Sequence, residues 1–240
     1  MSTNIPSPAG VVAKRALHFF WLTDYSGSMG GTKIATLNQA IREALPDVRK
    51  ALDSHPQVEV KMRAIKFANE AEWHVGPEPV PLDKFTWPEL EVDGITATAQ
   101  AIELLAEELS LEKMPRRGLP PVCLLVSDGL CTDSDDEYLQ AIAKLKRQPW
   151  GKKAVRLAIA IGDELDYDEE QLLKFVSHQE IGVLKAHNPG ELINYIKWAS
   201  VTATVGATQG KSKGSSSMND SNDNVILNPP PTLADSNDVF

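Results

Sequence analysis

Cysteine is scarce: two occur in 240 residues. Cys123 stands in an apolar run and Cys131 in a loop, with no C-x-x-C pair, so neither a disulfide framework nor a thiolate zinc site is available. Positive charge is short as well. Against 33 Asp and Glu there are 24 Lys and Arg, a net charge of −9, which excludes the broad basic surface that nucleic acid or an anionic membrane requires. The small clusters Arg116-Arg117 and Lys144-Lys146-Arg147 read as solvated helix or loop ends. No apolar run approaches the ~20 residues of a membrane span. The first 13 residues hold neither a basic n-region nor an apolar h-region, so a cytoplasmic location is expected. The histidines His18, His55, His74, His178 and His187 show no ligand spacing, and no Ser-His-Asp set or phosphate-cradling glycine loop is present.

What the chain does hold is an ordinary globular balance, 42% hydrophobic and 24% charged. Residues 16–23 form a continuous apolar run, the mark of a central strand buried on both faces. Strand signals recur at 58–67, 121–127, 154–161 and 182–184, with a short edge strand at 71–75. Helical periodicity fills 30–54, 98–109, 135–147, 168–176 and 189–203. Pro46 is expected to kink or divide the first helix, and the Pro-rich stretch 76–88 to form a loop. Alternating strands and helices predict an α/β fold with a mostly parallel sheet and right-handed crossovers. Residues 1–13 read as an N-terminal arm, 14–205 as the folded domain, and 206–240 as a disordered Ser/Asn/Pro-rich tail. Two apolar patches in that tail, Val225-Ile226-Leu227 and Val239-Phe240, are either partner-docking elements or spare residues.

The first strand closes on Asp24-Tyr25-Ser26-Gly27-Ser28, a carboxylate and two alternate hydroxyls on one turn. Two later segments supply further oxygens: Thr96 in Gly94-Ile95-Thr96, and Asp128 in Ser127-Asp128-Gly129. Each follows a strand or opens a helix, so topology places all of them at the carboxyl edge of the sheet, where ligands collect. Taken singly, Asp24, Ser26 or Thr96 could cap a helix and Asp128-Gly129 could be an ordinary turn. Together they read as a site for a hard divalent cation: Mg²⁺ first, with Mn²⁺ or Ca²⁺ as alternatives. Loops expected at the same edge are acidic, with Asp93, Asp133, Asp135, Asp136, Asp163, Glu164, Asp166 and Asp168. They are either a rim that steers a partner or simple loop and helix-start preference. Tyr25, Asp93, Asp133 and Asp163 are the candidate partner-binding rim.

On these residues the sequence resembles the von Willebrand factor A (vWA) family, whose metal-ion-dependent adhesion site (MIDAS) is D-x-S-x-S, then a threonine, then an aspartate in a D-G turn. The resemblance spans roughly residues 16–203. It implies a doubly wound, Rossmann-like sheet of about six strands with one antiparallel edge strand. It also implies that Ser26, Ser28 and Thr96 ligate through hydroxyls, and Asp24 and Asp128 through carboxylates, directly or by way of water. Ile95 departs from the pattern, which commonly has glycine before the threonine. Phe20-Trp21-Leu22-Thr23-Asp24-Tyr25-Ser26-Gly27-Ser28-Met29 and Leu125-Val126-Ser127-Asp128-Gly129-Leu130-Cys131-Thr132-Asp133 are most similar to bacterial TerY-type proteins of tellurite resistance. That similarity implies a stress or signalling system with a Ser/Thr kinase and a PP2C-type phosphatase.

The expected function is therefore a non-enzymatic, cation-dependent protein-binding module, a monomer on its own, which engages an acidic side chain of its partner. Two alternatives stand beside it: a Mg²⁺-dependent phosphotransferase or phosphatase, and an adaptor for an AAA-type ATPase. Phosphoryl transfer usually wants a second acid two positions after the first, and Ser26 stands there.

Overall fold

The computed structural model describes residues 14–114, 116–128, 131–163, 165–209 and 225–231. The expected N-terminal arm lies outside these, as do 210–224 and 232–240 of the expected tail. Six strands form one sheet in the order β3-β2-β1-β4-β5-β6. They are β1 (Arg15–Asp24), β2 (Val58–Phe67), β3 (Ala71–Pro81), β4 (Val122–Ser127), β5 (Val155–Ile161) and β6 (Val183–Ala186). Among the described residues only the β2–β3 pairing is antiparallel. The helices are α1 (Thr32–Leu52), α2 (Thr98–Glu108), α3 (Asp135–Arg147), α4 (Pro149–Lys153), α5 (Glu169–Phe175) and α6 (Pro189–Gln209). No helix among the described residues is long and apolar enough to cross a membrane.

The apolar run of β1 is continuous because both of its faces are covered. Leu17, Phe19 and Trp21 pack with Leu37 and Ile41 of α1 and with Leu192 and Ile196 of α6. Phe20 and Leu22 join Ile102 and Leu105 of α2, Ile142 of α3 and Phe175 of α5 on the other face. The layers are thus helix, sheet, helix.

Several expectations change. α1 runs unbroken through Pro46. Proline withdraws the N–H that would bond the Arg42 carbonyl, but both residues lie on the exposed face, so the loss is not a buried one. Leu45 and Val48, on the inner face, hold the helix to the sheet across the gap. β3 continues past the expected limit at Val75 to Pro81, with an irregularity between the Ala64↔Val75 and Met62↔Val80 pairings. Its prolines are tolerated because an edge strand needs only half of its N–H groups.

At the other end α6 extends to Gln209, beyond the expected boundary at residue 205. Residues 225–231 return to the domain: Val225 and Leu227 are buried in the α1/α6 core cluster, and His178 Nε2 lies 3.0 Å from the Val225 carbonyl oxygen. Gly206 makes this approach possible, since a Cβ there would stand 2.8 Å from Leu227 Cδ2. This part of the tail is therefore a packed strap, and of its apolar trio only Ile226 faces solvent.

One polar cluster sits inside the α2 face. Arg63 on β2 donates to Glu108 Oε2 at 2.5 Å and to His18 Nδ1 at 3.2 Å, and its guanidinium stacks 4.3 Å from the Phe20 ring centroid. Lys113 reaches the other Glu108 oxygen at 2.6 Å. Burial first, then the charges of Arg63 and Lys61, pull His18 down to about 4, so it is a neutral acceptor.

Candidate cation site

Strands β1 and β4 are neighbours, paired in parallel up to Thr23↔Val126. The helix after β1 covers one face of the sheet and the helix after β4 the other. The chain therefore diverges between them, and a crevice opens at their carboxyl ends. Asp24 ends β1, Ser127 ends β4, and Asp128 comes next in the chain. Adjacent strands thus deliver both expected carboxylates to the switch point of the sheet.

The carboxylates are joined by hydroxyls. Asp24 Oδ1 accepts the Ser26 backbone N–H at 2.8 Å, and Oδ2 accepts Ser127 Oγ at 2.5 Å. Ser28 Oγ donates to Asp128 Oδ1 at 2.8 Å and lies 3.0 Å from Ser26 Oγ. Since Ser28 spends its one proton on Asp128, Ser26 is the donor between the serines. Asp128 Oδ2 accepts Lys33 Nζ at 2.6 Å. Asp24, Ser26 and Asp128 are buried, and Ser28 is exposed at the mouth. Burial pushes the Asp24 carboxyl up to about 6; the hydrogen bonds from Ser127 and Ser26 oppose the rise, and the nearby Asp128 charge adds to it. A buried carboxylate in this position lacks countercharge, which a divalent ion would supply.

A single 3-10 turn at Gly27–Met29 carries the serines, anchored in the core by the fully buried Met29. The Thr96 segment is stitched to it from three sides. Gly27 N–H bonds the Gly94 carbonyl at 2.9 Å, and Asp93 N–H the Tyr25 carbonyl at 2.8 Å. Ala97 N–H reaches Ala68 beyond β2 at 2.7 Å, and the Thr96 carbonyl accepts Thr132 N–H at 2.9 Å. Thr96 itself is buried. Ile95, the departure from the family pattern, points outward, and its N–H bonds Asn69 Oδ1 at 3.1 Å. Gly94 provides the close approach instead: its φ is +69°, and a Cβ there would lie 2.4 Å from the Asn69 side chain. Gly94→Ala is therefore expected to cost roughly 1–3 kcal/mol of stability. It should also displace Thr96 and weaken cation binding; denaturant unfolding and a Mn²⁺ titration measure the two effects.

The rim is less uniform than its composition. Asp93 and Asp163 are exposed, and Tyr25 is half-buried with Lys66 Nζ 4.7 Å from its ring centroid. Asp133 is turned inward, contrary to its expected rim role: its Oδ2 accepts the Ala99 N–H at 2.7 Å, at the start of α2, and Cys131 Sγ at 2.7 Å. Asp168 likewise caps α5 through Gln171 N–H. Exposed apolar side chains, Val92, Ile95 and Leu165, stand on the loops of the same edge.

Sequence reasoning missed Ser127, Asn69 and Lys33. Lys33 carried a signal, since a cation in the first turn of a helix opposes the helix dipole and calls for an acidic partner. Among the described residues no three His, Cys, Asp or Glu side chains form a metal-sized group. The donor set is instead two carboxylates and hydroxyls, all oxygen, which fits a hard ion better than a thiophilic one.

No family model and no curated protein sequence matches the chain. Solved structures do. A von Willebrand factor type A protein from Catenulispora acidiphila aligns with a TM-score of 0.58 at 13% identity, over 80% of this chain and 43% of that one. Proximal thread matrix protein 1 from the mussel byssus, with a zinc-occupied MIDAS motif, aligns at 0.56 and 18% identity over 80% and 46% of the two chains. The ArnB paralog VWA2 from Sulfolobus acidocaldarius aligns at 0.51 and 17% identity over 83% and 46%. The chain spans less than half the length of each of these. At such identities the likeness establishes the vWA fold.

Proposed function

We propose that this vWA-fold chain is a cation-dependent protein-binding module. Asp24, Ser26, Ser28, Thr96 and Asp128 hold a divalent ion, Mg²⁺ in the first instance, and one coordination position stays open for a carboxylate of the partner. The observation that carries this reading is the pair of buried carboxylates on adjacent strand ends, linked through Ser28, which bonds Asp128, and Ser26, which bonds Asp24. Hydroxyl ligands do not neutralise the ion, so it keeps charge for an incoming acid. The exposed Asp93 and Asp163 favour a partner whose acid is flanked by Lys or Arg. The TerY-like stretches of β1 and β4 favour a bacterial stress or tellurite-resistance setting, with a Ser/Thr kinase and a PP2C-type phosphatase as partners.

The geometry favours binding over phosphoryl transfer. Phosphoryl transfer calls for a second acid two positions after Asp24, and the buried Ser26 stands there. The test is a pull-down from cell extract with the full chain as bait. Partner capture is expected with Mg²⁺ and to be lost in EDTA; equal capture in both conditions would sink the reading. Turnover of a phosphopeptide or ATP dependent on Asp24 would instead favour the enzyme.

A further inference from the structure

Lys33 is the second residue of α1, and a cation there runs against the helix, whose unpaired N–H groups carry positive partial charge at that end. The first turn of α1 has no acidic residue to offset it. Asp128 is what holds the ammonium: Nζ lies 2.6 Å from Oδ2, with the aspartate side chain wholly buried and that of Lys33 18% exposed. The other aspartate oxygen takes the Ser28 hydroxyl. One of the two carboxylates of the cation site is therefore already shared with a fixed positive charge.

We infer that Lys33 is a tethered competitor for the divalent ion. The inference rests on the cation reading above. The ammonium neutralises Asp128 without any metal, so the β4–α3 and β1–α1 turns stay joined whether or not an ion is bound. An incoming ion must share that carboxylate with the ammonium or displace it, and mutual repulsion lowers its affinity. Partial exposure of Lys33 gives its flexible stem a way toward solvent, so displacement needs a side-chain rotation and no backbone change. The site is thereby set for reversible loading, responding to cation concentration.

The test titrates Mn²⁺ into the full-length wild type, Lys33→Met and Lys33→Arg, following free ion by electron paramagnetic resonance. Thermal melts without divalent ion accompany the titration. Lys33→Met should bind Mn²⁺ roughly tenfold tighter, as expected for removing a like charge a few ångströms away. Without the ion it should melt below wild type, and added Mn²⁺ should close the gap. Lys33→Arg should behave as wild type. Lys33→Gln, which removes the charge but keeps a side-chain donor, replaces the Met variant if that one does not fold. Unchanged or weaker Mn²⁺ binding in the charge-removed variant overturns the role of Lys33 alone. No binding by wild type or any variant overturns the cation reading and this inference with it.

Discussion

Asp24→Ala is expected to weaken Mg²⁺ or Mn²⁺ binding by about 100-fold or more, while leaving the cation-free fold close to wild type in stability. The first half comes from charge: Asp24 is one of the two carboxylates at the crevice, and the other, Asp128, is already shared with the Lys33 ammonium. The second half is a balance. Alanine removes the acceptor of the Ser26 N–H, costing about 1–3 kcal/mol if no water reaches it, and takes one partner from the Ser127 hydroxyl. Against this, it relieves a carboxyl that burial has already pushed up to about 6 beside the Asp128 charge. The two contributions oppose each other, so binding and folding separate cleanly in one variant. Melting with and without the ion reads both. At a cation concentration of 100 times its dissociation constant, wild type should gain about 2.7 kcal/mol, and the variant almost nothing. A full cation shift in Asp24→Ala would mean that other residues hold the ion.

Glu108→Ala should be the most damaging single change outside the site, at about 3–5 kcal/mol. It removes the carboxylate that Arg63 donates to and leaves a guanidinium buried between β2 and α2 beside the neutral His18 imidazole and the Phe20 ring. A charge without its counter-ion in that environment is far worse than no charge. Hence Arg63→Met combined with Glu108→Leu should be more stable than Glu108→Ala alone. Guanidinium unfolding of wild type and the two variants tests this; a double mutant no more stable than Glu108→Ala would show that the pair is not coupled. Mn²⁺ affinity should be unaltered in both variants, because the cluster lies within the α2 face, away from the carboxyl edge.

The strands that build the site were legible because their burial is written into unbroken apolar runs. Residues 16–23 and 121–127 have no polar face to hide, so they are central, and the turn after a central strand lies at the ligand edge. Pairings between distant segments were not legible. Lys33 and Asp128 stand 95 positions apart, and nothing local to either reveals the other beyond the misplaced charge on α1. Composition also misled at edges. The prolines after Gly76 look like a loop until β3 is seen to occupy the sheet margin. Asp133 looks like any acidic loop residue until Ala99 offers it an N–H. Val225 and Leu227 sit in a polar, proline-bearing stretch too short to fold by itself, and only the bare surface of Gly206 explains why they are buried.

That strap has a practical corollary. His178, which receives it, adjoins Ser177, whose N–H bonds Arg156 near the start of β5. Residues 225–231 are therefore pinned at the amino end of the strands, and the carboxylate pair opens at the carboxyl end. A fluorophore or a solid support coupled through this segment would leave the crevice pointing away from the attachment, free to be read from the opposite side.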